Sequence, residues 1–194
     1  MKKIIVLVAL VTLTATSAFA VISGTSHDLS ASGSGVDEIC AYCHTPHNGG
    51  TEAPLWNRGA GTAVATHYNS TTMNALGGTA SSDAPLCLSC HDSGSLSSVI
   101  ITNQPNGKTY DPSGLTLAAN ANLGTDLSND HPVGFAYADA TADADIETAP
   151  LNGVALFNGD VWCSSCHDVH DNTNAPFLVM SNTNSVLCLS CHAK

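Results

Sequence analysis

The sequence predicts a fold that is mostly coil, with short helices and few strands. Three observations support this prediction. A Cys-x-x-Cys-His pattern occurs four times and accounts for all eight cysteines. The segments between these repeats are rich in Gly, Ala, Ser, Thr and Asn, and show no sustained helical or strand periodicity. Aromatic side chains are few, with two Trp, four Tyr and four Phe among 194 residues, so they supply little material for a hydrophobic core.

The four repeats carry a definite chemistry. Two thiols spaced two residues apart can form thioethers to both vinyl groups of one haem, and the His that follows then lies under the iron. A zinc ribbon or a disulfide framework also uses paired Cys, but neither requires a His directly after every pair. The repeats therefore predict four covalently bound c-type haems, which would form much of the core. The predicted thioether residues are Cys40, Cys43, Cys87, Cys90, Cys163, Cys166, Cys188 and Cys191, and the predicted proximal iron ligands are His44, His91, His167 and His192.

Residues 1–20 predict a secretory signal peptide. Lys2 and Lys3 precede an apolar run, and the small residues Ala18 and Ala20 suit cleavage before Val21. The run is too short for a membrane span, and we expect no span after the signal is removed. Export agrees with the repeats, because c-type haem attachment is completed on the outer face of the cytoplasmic membrane.

The chain is acidic, with a formal net charge of −11. Beyond the predicted signal peptide only Arg58, Lys108 and Lys194 are formal cations. This balance makes nucleic acid an unsuitable partner. The acidity fits simple solubility or a basic redox partner protein, and the low charged fraction of 11% fits a surface that packs against copies of itself.

Nine histidines less the four proximal ones leave five, enough to fill the sixth position of every iron. An iron closed by two His has no vacant position for a substrate, so the predicted role is outer-sphere electron transfer rather than enzymatic catalysis. His47 and His170 each follow a proximal His by three positions, so each can reach only a neighbouring haem. His131 lies before Pro132 in a predicted loop. The preferred distal ligands are His27, His47, His131 and His170, with His67 as a reserve.

The chain reads as a duplicated two-haem unit. Ala53–Trp56 follows the first repeat as Ala175–Leu178 follows the third, and Leu86–His91 matches Leu187–His192. The predicted organisation is a signal peptide, 1–20, and a tetrahaem domain, 21–194, with two-haem units at about 21–92 and 160–194 joined by a loop-rich insert, 93–159.

Several runs together resemble the tetrahaem cytochromes c of the OmcE type. The runs are Ser23–Ser30, Cys43–Asn48, Pro54–Arg58, Asp130–Val133 and the closing Cys-Leu-Ser-Cys-His. Subunits of that family polymerise head-to-tail into extracellular filaments that conduct electrons along a continuous chain of haems, with one distal His supplied by the adjoining subunit. The resemblance implies the same proximal and distal histidines, and His27, on the N-terminal segment, is the one we expect to bridge subunits.

The expected function is electron transfer as a subunit of an extracellular, cell-surface filament that serves redox partner proteins or extracellular electron acceptors. The alternative is a monomeric periplasmic shuttle, in which His27 ligates a haem of its own chain. A third reading is a multihaem oxidoreductase, which needs an open iron beside acid or base residues. No repeat has Lys in place of His, and the spare histidines are enough to close every iron. We also expect the chain to be largely disordered without haem.

Overall fold

The computed structural model describes most of the chain beyond the predicted signal peptide. The described residues are 21–33, 35–50, 53–59, 64, 66–75, 83–93, 96, 101–104, 107–111 and 115–193. The predicted signal peptide, 1–20, lies outside the described residues.

Within the described ranges, regular structure is limited to short elements, which confirms the predicted mostly coil fold with short helices and few strands. The α-helices are α1 (Ala84–His91), α2 (Tyr137–Ala140) and α3 (Cys163–Cys166). The 3-10 turns are Leu29–Ser32, Ile39–Tyr42, Ala119–Ala121, Thr183–Ser185 and Cys188–Ser190. The strands are β1 (Phe135–Ala136) and β2 (Asp160–Val161), which pair antiparallel. Among the described residues, no helix has the length and apolar character needed to cross a membrane.

Each Cys-x-x-Cys-His repeat lies on a helical turn, as the sequence predicted. The amide of the His donates to the carbonyl of the first Cys at 2.8 Å in the first repeat and at 3.0 Å in the third and fourth. The second repeat lies within α1, which has Pro85 in its first turn, where the missing amide proton costs nothing. The His lies within the helix in the second repeat and at its C-cap or directly after it in the other three, so both thiols and the imidazole stay close together, as a single haem requires.

Two small hydrophobic clusters lie beside the repeats. The first consists of Val36, Tyr42, Leu96, Ile101 and Tyr110, and the second of Ala75, Phe135, Tyr137 and Val161. Cys90 packs against the first cluster and Cys191 against the second. Each cluster therefore supports one haem motif directly.

The insert, 93–159, makes close contacts with the two-haem units. Its strand β1 pairs with β2, with Phe135 opposite Val161. Its backbone also contacts α1, where the Leu123 amide donates to the His91 carbonyl at 2.9 Å. The insert is thus part of the scaffold around the repeats.

Candidate haem-binding sites

The first repeat is held by the segment that follows it. Nδ1 of His44 bonds to the carbonyl of Pro54 at 2.8 Å, and the Thr45 amide donates to the Leu55 carbonyl at 2.8 Å. Leu55 has a φ of 57°, in the left-handed region that a branched side chain seldom adopts. The backbone therefore bends sharply at this point and returns along the haem motif.

The third repeat is held in the same way. Nδ1 of His167 bonds to the carbonyl of Pro176 at 3.1 Å, and the Asp168 amide donates to the Phe177 carbonyl at 2.8 Å. Phe177 also has a left-handed φ, 58°. The recurrence of an Ala-Pro pair after these two repeats thus corresponds to the same bend and the same support for the imidazole.

The second and fourth repeats take their support from the insert. Nδ1 of His91 bonds to the carbonyl of Ala121 at 2.6 Å. Within the fourth repeat, Ser190 accepts two hydrogen bonds, one at its carbonyl from the Leu151 amide at 2.7 Å and one at its hydroxyl from the Asn152 side chain at 3.0 Å. The long insert therefore supplies to the second and fourth repeats the kind of contact that the first and third repeats receive from the short segments that follow them.

These contacts fix the protonation of the proximal rings. A carbonyl oxygen only accepts hydrogen bonds, so Nδ1 of His44, His91 and His167 must carry the proton. Nδ1 of His131 likewise donates to the carbonyl of Pro132 at 2.9 Å. In the tautomer that these bonds select, the lone pair lies on Nε2, which is the form that coordinates a metal.

Three of the four proximal rings have a second histidine ring close by, nearly parallel in one pair and nearly perpendicular in two. The centroid separations are 6.0 Å for His44 and His170, 6.1 Å for His91 and His27, and 6.3 Å for His192 and His131. An imidazole nitrogen binds a first-row transition metal at about 2 Å, so an iron between two such rings separates their centroids by roughly 6 Å. The residues present therefore fit one iron between the members of each pair.

The His27 ring packs beside His91 of the second repeat in the same chain. It also packs against Phe177 at a centroid distance of 4.4 Å, and its Nδ1 is buried with no hydrogen-bond partner in the described part of the chain. Burial lowers the pKa of His27, and the nearby imidazoles of His91, His167 and His170 lower it further. The ring is thereby held neutral, as a metal ligand must be.

His47 and His67 are not brought to a proximal ring. His47 is exposed and His67 is half-buried, and neither stacks with another aromatic ring within the described ranges. Over the same ranges His167 has no imidazole opposite it. Among the described residues, the third repeat thus differs from the others in having no second imidazole ring paired with its proximal His.

The second and third repeats meet at Asp83. Its two carboxylate oxygens accept the amides of Cys163 and Ser164, each at 2.9 Å. The sulfur atoms of Cys87 and Cys163 lie within 4.8 Å of each other. Because both thiols are predicted to be thioether sites, two haems would share this junction.

The remaining neighbouring repeats also approach one another through their thiols. The pKa of Cys43 is raised to about 11, with desolvation as the largest cause, Arg58 opposing the rise and the nearby Cys90 thiol contributing to it. Burial likewise raises the pKa of Cys166, with an added contribution from Cys191. Each of the first three repeats therefore has a thiol that interacts with a thiol of the next repeat in chain order.

The residue before the second Cys of each repeat also holds the repeat in place, a role that the sequence interpretation did not predict. In every repeat its hydroxyl group makes a hydrogen bond to backbone a few residues earlier in the chain. Tyr42, Ser89 and Ser190 donate to the carbonyls of Val36, Leu86 and Val186 at 2.6, 2.7 and 2.8 Å, and Ser165 accepts from the Trp162 amide at 3.0 Å. The recurrence of Ser at this position in three of the four repeats was the available signal.

No curated protein matches the chain. Residues 155–194, which contain the third and fourth repeats, match a protein family described as a doubled CXXCH motif. That match points to covalent haem c and electron transfer, the chemistry of multihaem c-type cytochromes, which are electron carriers and typically exported.

Proposed function

We propose that this protein transfers electrons through four covalently bound c-type haems, each with two axial histidines. The observation that carries the proposal is the placement of three histidine pairs at centroid distances of 6.0 to 6.3 Å. When bound, haem supplies the one-electron chemistry, and the chain supplies its ligands, spacing and surroundings. Haems held between two histidines in this way would leave no position for a substrate and would supply electron transfer between haem edges without bond chemistry.

The proposed axial pairs follow from these separations. His44 pairs with His170, His91 with His27, and His192 with His131. The first of these pairs joins the first and third repeats, because His170 belongs to the turn that carries His167. The arrangement supports the duplicated two-haem unit, since each unit contributes a His-x-x-His turn.

His47 is the ligand we propose for the iron at His167. It occupies the position in the first repeat that His170 occupies in the third, and His170 faces the other unit's proximal ring. His47 is exposed, which leaves it available to an adjoining subunit. His27 is less suited to bridging, because it lies beside His91 of its own chain.

We further propose that the chain is the subunit of an extracellular filament. The resemblance to the OmcE type and the low content of surface charge support head-to-tail assembly. A coordinate bond from His47 to a neighbouring iron would fix the register of the haems across that contact. The alternative is a monomeric periplasmic shuttle with the same haem chemistry. An oxidoreductase is a third candidate only if the iron at His167 stays open in the native protein.

Three measurements on the matured, haem-loaded protein test these proposals: intact mass, electron microscopy, and electron paramagnetic resonance for the spin state of the haems. Intact mass should show four haems per chain, and electron microscopy of material from the cell exterior should show ordered filaments. The His47→Ala variant should lose filaments and gain one high-spin haem, whereas the matched His67→Ala control should keep both properties. Fewer than four haems would refute the electron-transfer proposal. Unchanged filaments in His47→Ala would refute the bridge, and dispersed wild-type particles would favour the shuttle.

A further inference from the structure

Arg58 is a buried cation without a counter-charge among the described residues. Only 5% of the residue is exposed. Its Nη2 donates to the Ser89 carbonyl at 3.3 Å, while its Nε is buried and donates to no described residue. Neither ion pair of the described chain includes it. Burial of an unpaired charge is costly, so this guanidinium acts strongly on whatever lies beside it.

The guanidinium lies where the first and second repeats meet. The preceding residue, Asn57, donates from its side chain to the Ala41 carbonyl at 2.6 Å, between the two Cys of the first repeat. Arg58 donates to the Ser89 carbonyl, between the two Cys of the second repeat. Two consecutive side chains therefore hold one repeat each and place the charge between them.

The charge also reaches the thioether positions of both repeats. The amide of Asn57, which directly precedes Arg58, donates to the Cys43 carbonyl at 2.8 Å, and Ser89, which accepts from Arg58, directly precedes Cys90. The sulfur atoms of these two cysteines are covalent attachment points for the first and second haems. A positive charge between these two repeats would shift the reduction potentials of both haems in the same direction.

In the other half of the chain, the described residues include no Lys or Arg beside a repeat. Between Lys108 and Lys194 the sequence has no Lys or Arg, and the third and fourth repeats both lie in this stretch. An oxidised haem carries one more positive charge than a reduced haem. A nearby buried cation therefore favours reduction and raises the midpoint potential.

We propose that Arg58 raises the reduction potentials of the first and second haems above those of the third and fourth. The inference rests on the proposed haem binding at all four repeats. Electrons entering at the C-terminal repeats then move downhill towards the N-terminal pair. The chain would thus carry a direction for electron flow, set by one residue.

The test is a spectroelectrochemical redox titration of the full-length, matured protein. In Arg58→Met, two of the four midpoint potentials should fall while the other two keep their wild-type values. Arg58→Lys, which keeps the charge, should stay near the wild type. Lys108→Met removes the same charge from an exposed side chain that pairs with Asp37 at 2.9 Å, and should leave all four potentials unchanged.

Haem counting separates failure of this inference from failure of the proposed function. A wild-type chain with fewer than four haems would remove the basis of both. With four haems bound, unchanged potentials in Arg58→Met, or an equal shift of all four, would overturn the role of Arg58 alone. Arg58→Gln is a second neutral variant. If neither neutral variant takes up four haems, the guanidinium is a structural requirement and the inference is also overturned.

Discussion

The first and third repeats differ from the second and fourth in what holds them. Nδ1 of His44 and of His167 bonds to a carbonyl only ten and nine residues further along the chain. Nδ1 of His91 bonds to a carbonyl 30 residues away, within the insert. The fourth repeat is also held by the insert, through Leu151 and Asn152.

The difference shows that one covalent motif can be supported by unrelated scaffolds. The short segment after the first or third repeat closes a small loop, so its contacts with the repeat cost little chain entropy. The same contacts form in both places because both repeats are followed by such a segment. The insert must close much longer loops and needs its own anchors, such as the pairing of Phe135 with Val161. The two kinds of support should therefore respond differently to substitution.

The largest effect is expected from Asn57, in the short segment after the first repeat. Its side chain is almost fully buried, donates to the carbonyls of Ala41 and Asn103, and accepts the Asn103 amide at 2.8 Å. Asn57→Ala should lower the free energy of unfolding of the haem-loaded chain by about 3 kcal/mol, because it strands buried polar partners. Guanidinium unfolding followed by Soret absorbance measures this.

Val179 provides the matched control for Asn57. Its amide donates to the Cys166 carbonyl at 3.0 Å, as the Asn57 amide donates to the Cys43 carbonyl at 2.8 Å. Its side chain, however, is exposed. Val179→Ala should cost less than about 1 kcal/mol. Equal losses in the two variants would show that the Asn57 side chain is not a structural centre of the first repeat.

An intermediate effect is expected from Asp83, which joins the two kinds of repeat. In the wild type, the amides of Cys163 and Ser164 each donate to one carboxylate oxygen of Asp83. The Asp83→Asn variant has only one side-chain oxygen to accept both amides, and that oxygen is uncharged. The expected loss is about 2 kcal/mol, since bonds to charged groups are the stronger kind. The same Soret-monitored titration applies. Asp126→Asn, at an exposed carboxylate that caps only the nearby Ser128 amide, should change stability less. A larger loss in Asp126→Asn would contradict the assignment of Asp83 as the junction.

The smallest effect is expected from Asn152, in the insert beside the fourth repeat. Asn152→Ala removes one side-chain hydrogen bond to Ser190, while the backbone bond from Leu151 to the same residue remains. The expected loss is about 1 kcal/mol. Thermal unfolding monitored by Soret circular dichroism should show it. A loss as large as that of Asn57→Ala would mean that the insert holds its repeats by few contacts rather than many.

The sequence predicted the parts of this molecule that depend on local spacing. The helical turns at the four repeats follow from the Cys-x-x-Cys-His pattern, and the mostly coil fold follows from the composition between them. The sequence predicted that His170 reaches a neighbouring haem, but it did not predict that His170 lies beside His44. The chain alone could not indicate which haem, because that depends on how the two units pack.

Contacts over long separations remained beyond the sequence. Asp83 lies 80 residues from Cys163, and nothing in its neighbourhood marks it as a partner for a distant amide. The placement of His27 beside His91 likewise depends on tertiary packing, including its contact with Phe177. Arg58 was visible as a rare cation, but its burial between two repeats was not.

The most direct test of the central claim is low-temperature electron paramagnetic resonance of the oxidised, matured protein in its native assembly, with spins quantified against the haem count. The claim predicts low-spin signals alone, integrating to four hexacoordinate haems per chain. The His27→Ala variant should convert one of them to high spin, because His27 is paired with His91. A high-spin signal in the native wild type, or an unaltered spectrum in His27→Ala, would contradict the proposed ligation.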